Sequence, residues 1–169
     1  MYRIATSLII VLFIALIQST AFDYIAIAGI KPEVLLIFTI ISALTGRRKD
    51  IIKIAFLSGL LKDLTSSFIF GGYTFSFIII GLAINYHQSK FYKERLTTQF
   101  SISAICYIIM GLIVLSFNSL AKKEFFDFAL YFNLLIKGAI YTGGVSILAW
   151  KFLELVDIKS NRLLGRSYV

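Results

Sequence analysis

Long apolar runs separated by short clusters of charged residues make up most of this chain. Most of these runs approach the roughly 20 residues that a helix needs to cross a bilayer. The pattern predicts an all-α fold, a polytopic membrane helix bundle that forms a single integral membrane domain over residues 1–169. Six transmembrane helices are expected, followed by a polar tail at 151–169; the predicted spans are residues 4–22, 33–45, 51–61, 68–86, 100–120 and 129–150.

The second and third apolar runs are shorter than the others. A helix over 33–45 rises only about 20 Å, whereas the hydrocarbon core is roughly 30 Å thick. Pro32 fits the first turn of the second helix, where its missing N–H is not needed. We expect these two segments to be half-buried or tilted and shielded by longer neighbours.

The basic residues are distributed unevenly between the two sides of this predicted bundle. The N-terminus, the loops at 46–53 and 87–99 and the tail contain twelve of the 17 Lys and Arg residues, and the opposite loops contain four. Positive charge accumulates on the cytoplasmic side of membrane proteins. The bias therefore predicts a multi-pass membrane protein with cytoplasmic N- and C-termini.

Composition supports a lipid environment. With 59% hydrophobic residues in 169, the chain has more apolar surface than a soluble domain of this size can bury. The net charge of +8 is explained by topology, because no solvated basic segment that would bind nucleic acid is present. The single cysteine, Cys106, lies in an apolar run and predicts no intrachain disulfide.

The sequence lacks the usual catalytic motifs. It contains no phosphate-binding loop, no zinc-protease motif, no nucleophile elbow and no Cys/His cluster. The only histidine, His87, is expected at the membrane interface, and no two of Asp23, Asp63 and Asp127 share a helical face. We therefore expect neither an enzyme nor a bound cofactor or metal.

Lys62 and Asp63 end a short apolar helix, where ionisable groups are costly unless paired or hydrated. They form either a buried pair that fixes a bend or contacts a partner, or an ordinary turn in which Lys62 snorkels and Asp63 caps the amides of Ser66 or Ser67. Lys137 lies within the last span and is expected to snorkel outward.

Small residues recur at four-residue spacing, as Ala55 with Gly59 and Ala139 with Gly143. Such pairs allow helix backbones to approach closely, and packing within the bundle is the expected use. A pair of glycines, 71–72, is expected to relax the backbone where the fourth span begins.

Several short motifs, in order and spacing, resemble the bacterial rod shape-determining MreD family. The likeness is strongest over residues 15–85 and weaker where Val34 and Ser66-Ser67 depart from the family pattern. Its motifs are Gln18-Ser19-Thr20, Gly29-x-Lys31-Pro32-Glu33, Ser58-Gly59-Leu60-Leu61-Lys62-Asp63-Leu64 and Phe70-Gly71-Gly72-Tyr73. The residues that the resemblance marks as structural or partner contacts are Gln18, Pro32, Glu33, Gly59, Lys62, Asp63, Gly71 and Gly72.

The resemblance implies a non-enzymatic scaffold of the cell-elongation machinery in the bacterial inner membrane, which binds an MreC-like membrane protein. An MreB-like filament and a RodA–PBP2 type peptidoglycan synthase are its further expected partners, and no small-molecule substrate is expected. The family is also similar in fold to the solute-binding subunits of energy-coupling-factor transporters. The alternative function is therefore a solute-binding subunit, which would need converging polar or aromatic groups inside the bundle.

Overall fold

A computed structural model describes residues 30–66, 69–91, 95–122 and 128–163. The predicted first span at 4–22, and with it Gln18, lies outside the described residues. Within them the regular structure consists of helices, as the hydropathy pattern predicted. The five α-helices are α1 (Val34–Thr45), α2 (Arg48–Thr65), α3 (Gly72–Tyr86), α4 (Leu96–Lys122) and α5 (Phe128–Leu163), with a short 3₁₀ turn at Gln88–Lys90 after α3.

Helix α1 is the shortest and lies at the centre of the bundle, in contact with each of the other four helices. Its sequence is apolar on all sides, which is typical of a helix that is surrounded by protein. Eight of its twelve residues are buried. Its bounds agree closely with the predicted segment 33–45, and whether it crosses a membrane stays a prediction.

Helix α2 is longer than the apolar run at 51–61 from which it was predicted. It includes the basic cluster before this run and the Lys62–Thr65 segment after it, 18 residues in all, which corresponds to about 27 Å. The apolar run ends where the charged residues begin. The backbone hydrogen bonds of the helix continue through those charged residues, so the helix is longer than the apolar run. Asp50 in the first turn and Lys62 in the last turn complement the helix dipole.

The remaining helix ends also differ from the apolar runs. Helix α3 begins at Gly72, four residues after the predicted start of its span, because Gly71 adopts a left-handed backbone. Helix α4 begins at Leu96 and not at residue 100. Helix α5 continues to Leu163, through most of the segment predicted to be a polar tail.

Two helices of the described part are long and apolar enough to cross a membrane, over Leu96–Leu120 and Leu130–Phe152. They pack against each other through glycines: the Tyr131 hydroxyl donates to the Gly111 carbonyl at 3.0 Å. In return, the Tyr107 hydroxyl lies 2.3 Å from where a Cβ on Gly138 would be. Each helix thus places a tyrosine on a glycine of the other.

The end of the bundle where α1 ends and α3 ends is held by Asn85. Its amide donates to the carbonyls of Ala43 and Gly46, at 2.9 and 3.1 Å. The last carbonyls of a helix have no partner within it, and a side chain from a neighbour often fills this role. Asn85 is therefore used by the fold.

Candidate functional site

The opposite end of the bundle contains a cluster of polar residues where α1 begins, α2 ends and α3 begins. We call it the polar junction and define it as Glu33, Lys62, Asp63, Tyr73 and Thr74. Four of its five members belong to the motifs singled out in the sequence, and Thr74 is the fifth. The contacts below describe how it is built.

Asp63 is the cap of helix α3, although it belongs to α2. One carboxylate oxygen accepts the Tyr73 amide at 3.1 Å, and the other accepts the Thr74 amide at 2.9 Å and the Thr74 hydroxyl at 2.5 Å. The residue at the N-cap position itself is Gly71, which has no side chain to do this. A negative charge at a helix N-terminus also stabilises the helix dipole. Asp63 is only 3% exposed, so its charge is compensated inside the protein.

The capping alternative for Asp63 is therefore right in kind, but the amides that donate to its carboxylate are those of Tyr73 and Thr74, not that of Ser66. Ser66 contacts the Asp63 backbone, not its carboxylate: the Ser66 hydroxyl donates to the Asp63 carbonyl at 3.2 Å. Ser67 lies outside the described residues. The reason is the helix itself, since α2 continues past Asp63 and points its carboxylate across to α3.

Lys62 and Asp63 do not pair with each other. The Lys62 ammonium forms an ion pair with the Glu33 carboxylate at 2.5 Å and lies 5.4 Å from the centre of the Tyr73 ring. The Lys62 side chain is 18% exposed and that of Glu33 is 8% exposed. The pair therefore joins the start of α1 to the end of α2, and the aromatic face adds a cation–π contact.

The start of α1 is also tied to α5. The Glu33 amide donates to the Thr142 hydroxyl at 3.3 Å, and Pro32 before it is fully buried. A buried proline leaves no N–H without a partner at this position. Thr142 lies near the middle of the Leu130–Phe152 segment, so α1 begins well inside the height of α5.

At Gly59 the backbones of α2 and α3 approach each other closely. A Cβ at this position would lie 2.4 Å from the Thr74 Cα, which belongs to the backbone and has no freedom to move aside. Ala55 lies one turn away in the same interface, with its Cβ 3.4 Å from where a Cβ on Gly81 of α3 would be. The small-residue pair is thus used for packing within the bundle, as expected.

The two glycines before α3 have different roles. Gly71 has a φ of +100°, a conformation that other residues rarely adopt. Gly72 has an ordinary helical backbone, and a Cβ there would meet its nearest neighbour, Val114, at 3.8 Å. Only Gly71 therefore requires glycine for its backbone.

A cavity of about 330 Å³ lies next to the polar junction, between α1, α4 and α5. Glu33 is at its wall with three tyrosines that come from three different helices, Tyr73, Tyr107 and Tyr131. The sequence did not indicate this cluster, because the tyrosines are far apart along the chain. The remaining walls are mostly aliphatic, and Lys31 lines the cavity as an exposed residue.

The polar groups of the junction bind one another and the ends of helices. No group of three His, Cys, Asp or Glu side chains that would hold a metal ion occurs among them. Thr142 and Thr74 were missed by the sequence analysis. Thr142 gives no signal, because its contact joins residues 109 positions apart. Thr74 had a weak one, since it follows the Gly71-Gly72-Tyr73 motif.

The comparison with known families decides the family of this chain. The model of the rod shape-determining protein MreD matches residues 1–156. The chain belongs to the MreD family. No curated protein and no solved structure matches it. MreD proteins are bacterial inner-membrane proteins of the MreBCD shape machinery and act in rod shape determination. The family is described by this role in cell shape and not by a catalytic activity.

Proposed function

We propose that this chain is a non-enzymatic scaffold subunit of the cell-elongation machinery, which binds an MreC-like membrane protein. Through this partner it is linked to an MreB-like filament and to a RodA–PBP2 type synthase, and so to peptidoglycan synthesis. Membership of the MreD family supports the general role. The specific partners are the proposal.

The observation that supports a scaffold is the way the polar junction is used. Asp63 holds the N-terminus of α3, Lys62 is paired with Glu33, and the Glu33 amide is bound to Thr142. In a catalytic site, polar groups converge on a space for substrate. Here they stabilise contacts between helices, so the apolar outer faces remain as the surfaces that meet lipid and partners.

The alternative, a solute-binding subunit, is supported by the cavity beside the junction. Its size is within the range of small-molecule sites, and Glu33 and three tyrosines line it. Two of these polar groups are already engaged, since Glu33 binds Lys62 and the Tyr131 hydroxyl binds the Gly111 carbonyl. This engagement favours the scaffold.

We further propose that the polar junction faces the outside of the cell and that Asn85 faces the cytoplasm. This orientation follows from the basic loops near Asn85 and from the positive-inside rule. Cysteines at Ser66 and Gln88 test it, with Cys106 buried in α4 as the background. A membrane-impermeant maleimide added to spheroplasts should label Ser66→Cys at once and Gln88→Cys only after lysis. The reverse order would invert the topology.

The scaffold proposal is tested by purifying the tagged full-length chain from bacterial membranes in mild detergent. Mass spectrometry of the eluate should identify an MreC-like protein at close to stoichiometric yield. A tagged, unrelated membrane protein from the same membranes is the control. An eluate without this partner would overturn the proposal.

A further inference from the structure

One face of helix α5 has a composition that does not fit contact with lipid alone. It contains an amide, an ammonium group and a glycine among apolar residues. We call it the α5 stripe; its members recur at helical spacing and are all exposed: Asn133, Lys137, Ile140, Gly144 and Leu148. Residues three and four apart lie on one side of a helix, so the five form a single continuous strip.

Helix α5 is clearly the less hydrophobic of the two candidate spans, yet it is no more buried than α4. Lipid contact alone would favour a comparably apolar surface on both helices. Polar residues on an exposed span are expected where another protein covers them. The composition of the stripe is therefore typical of a surface that another protein covers.

Lys137 is the residue that determines what kind of partner fits. It is exposed, and among the described residues it has no hydrogen-bond or ion-pair partner. It lies seven residues past Leu130, the start of the candidate span, which is about 10 Å along the helix. The four-carbon stem of a lysine is shorter than this distance. An ammonium group at such depth is costly unless it is paired.

Gly144 determines how closely the partner approaches. Among the described residues, no atom of another helix lies within 4 Å of a Cβ added there, so packing against the described helices does not explain the glycine. This differs from Gly138 and Gly143 on the buried side of α5, where an added Cβ would collide with Tyr107 and Phe100. Glycine inside a helix costs about 1 kcal/mol relative to alanine. A glycine on an open face permits a second helix to pack closely against the backbone.

We propose that the α5 stripe is the docking site for a transmembrane helix of the MreC-like partner, and that this helix carries an Asp or Glu. The partner carboxylate pairs with Lys137, with Asn133 one turn away as a second hydrogen-bonding group. The partner backbone crosses at Gly144. This inference rests on the proposed scaffold function and adds to it the surface and the chemistry of the contact.

The test compares partner yield between variants of the tagged full-length chain. Lys137→Gln and Gly144→Leu should each lower the amount of co-purified partner about tenfold, given the usual strength of interhelical contacts in membranes. Two matched controls lie on exposed faces of other helices, Lys53→Gln on α2 and Ser116→Leu on α4. Both should retain wild-type yield, and all four variants should keep the melting temperature of the wild type.

A photo-crosslinking residue locates the contact without relying on affinity. Placed at Ile140 in the stripe it should crosslink to the MreC-like partner, whereas at Ile109 on the exposed face of α4 it should not. Wild-type partner yield in both stripe variants would overturn the inference and leave Lys137 as a snorkelling residue. A crosslink from Ile140 to a second copy of this chain would overturn it as well. Loss of the partner from the wild type would instead overturn the scaffold proposal itself.

Discussion

At the scale of single residues, Asp63 supplies the helix cap that α3 lacks in its own sequence. Its carboxylate accepts two backbone amides and one hydroxyl from the first turn of α3. Because it is contributed by α2, one side chain both completes the end of one helix and fixes its position relative to another. The apolar surroundings make this contact more important, since amides without partners are costly there.

Replacing Asp63 by alanine should therefore destabilise the protein. The loss combines a missing cap with buried amides that have no partner, and we expect about 2–3 kcal/mol. Asp50→Ala in the first turn of the same helix is the control, with an expected effect below about 1 kcal/mol. Thermal unfolding in detergent measures both. Equal melting temperatures for the two variants would contradict the role of Asp63 as an interhelical cap.

The ion pair of Lys62 and Glu33 gives a second prediction at this scale. Lys62→Met leaves the Glu33 carboxylate largely buried without its partner and should cost about 3 kcal/mol. The double variant, Lys62→Met with Glu33→Met, removes both charges and should be more stable than Lys62→Met alone. Chemical denaturation of the wild type, the two single variants and the double variant gives the comparison. A double variant that loses the sum of the single effects would show that the two residues act independently.

At the scale of helices, residue size determines how closely the elements approach. Gly59 permits contact between α2 and α3, and Gly111 and Gly138 accommodate tyrosines between α4 and α5. In a bilayer, helices associate through such packing, because lipid is as apolar as their own surfaces. The glycines on buried faces are thus part of what stabilises the bundle.

Two alanine substitutions distinguish the glycines that pack from those that do not. Gly59→Ala places a methyl group 2.4 Å from the Thr74 Cα and should destabilise by about 2 kcal/mol, because the helices must separate. Gly72→Ala meets only ordinary contacts and should stay within about 0.5 kcal/mol of the wild type. The measurement is again thermal unfolding. The account fails at this point if Gly72→Ala is the more harmful of the two.

How well each helix could be predicted from the sequence depends on the kind of contact that forms it. Helix α1 was located closely because it is apolar throughout. The ends of α2 and α5 were missed because helices continue into charged segments that hydropathy treats as loops. The Gly59 contact was expected from spacing alone. The Glu33–Thr142 and Asp63–Tyr73 contacts were not, because spacing along the chain carries no information on which helix ends meet.

At the scale of the whole molecule, the described residues form a bundle in which a short central helix is surrounded by four longer ones. The polar junction holds one end of α1 and Asn85 holds the other. The polar residues of these two sites thus form contacts within the bundle. The polar residues of the α5 stripe are instead exposed. Hydropathy predicted the helical membrane class, and family motifs predicted the role in cell shape. The contacts within the polar junction could be seen only in the structure.

The central claim is that this MreD-family chain acts by binding another membrane protein and not by binding a solute. Native mass spectrometry of the full-length chain, purified from membranes and released from detergent, tests it most directly. The account predicts the mass of the chain together with one MreC-like protein and no small-molecule adduct. A chain that carries a retained small molecule, without the partner, would contradict the account and identify the cavity beside Glu33 as a solute site.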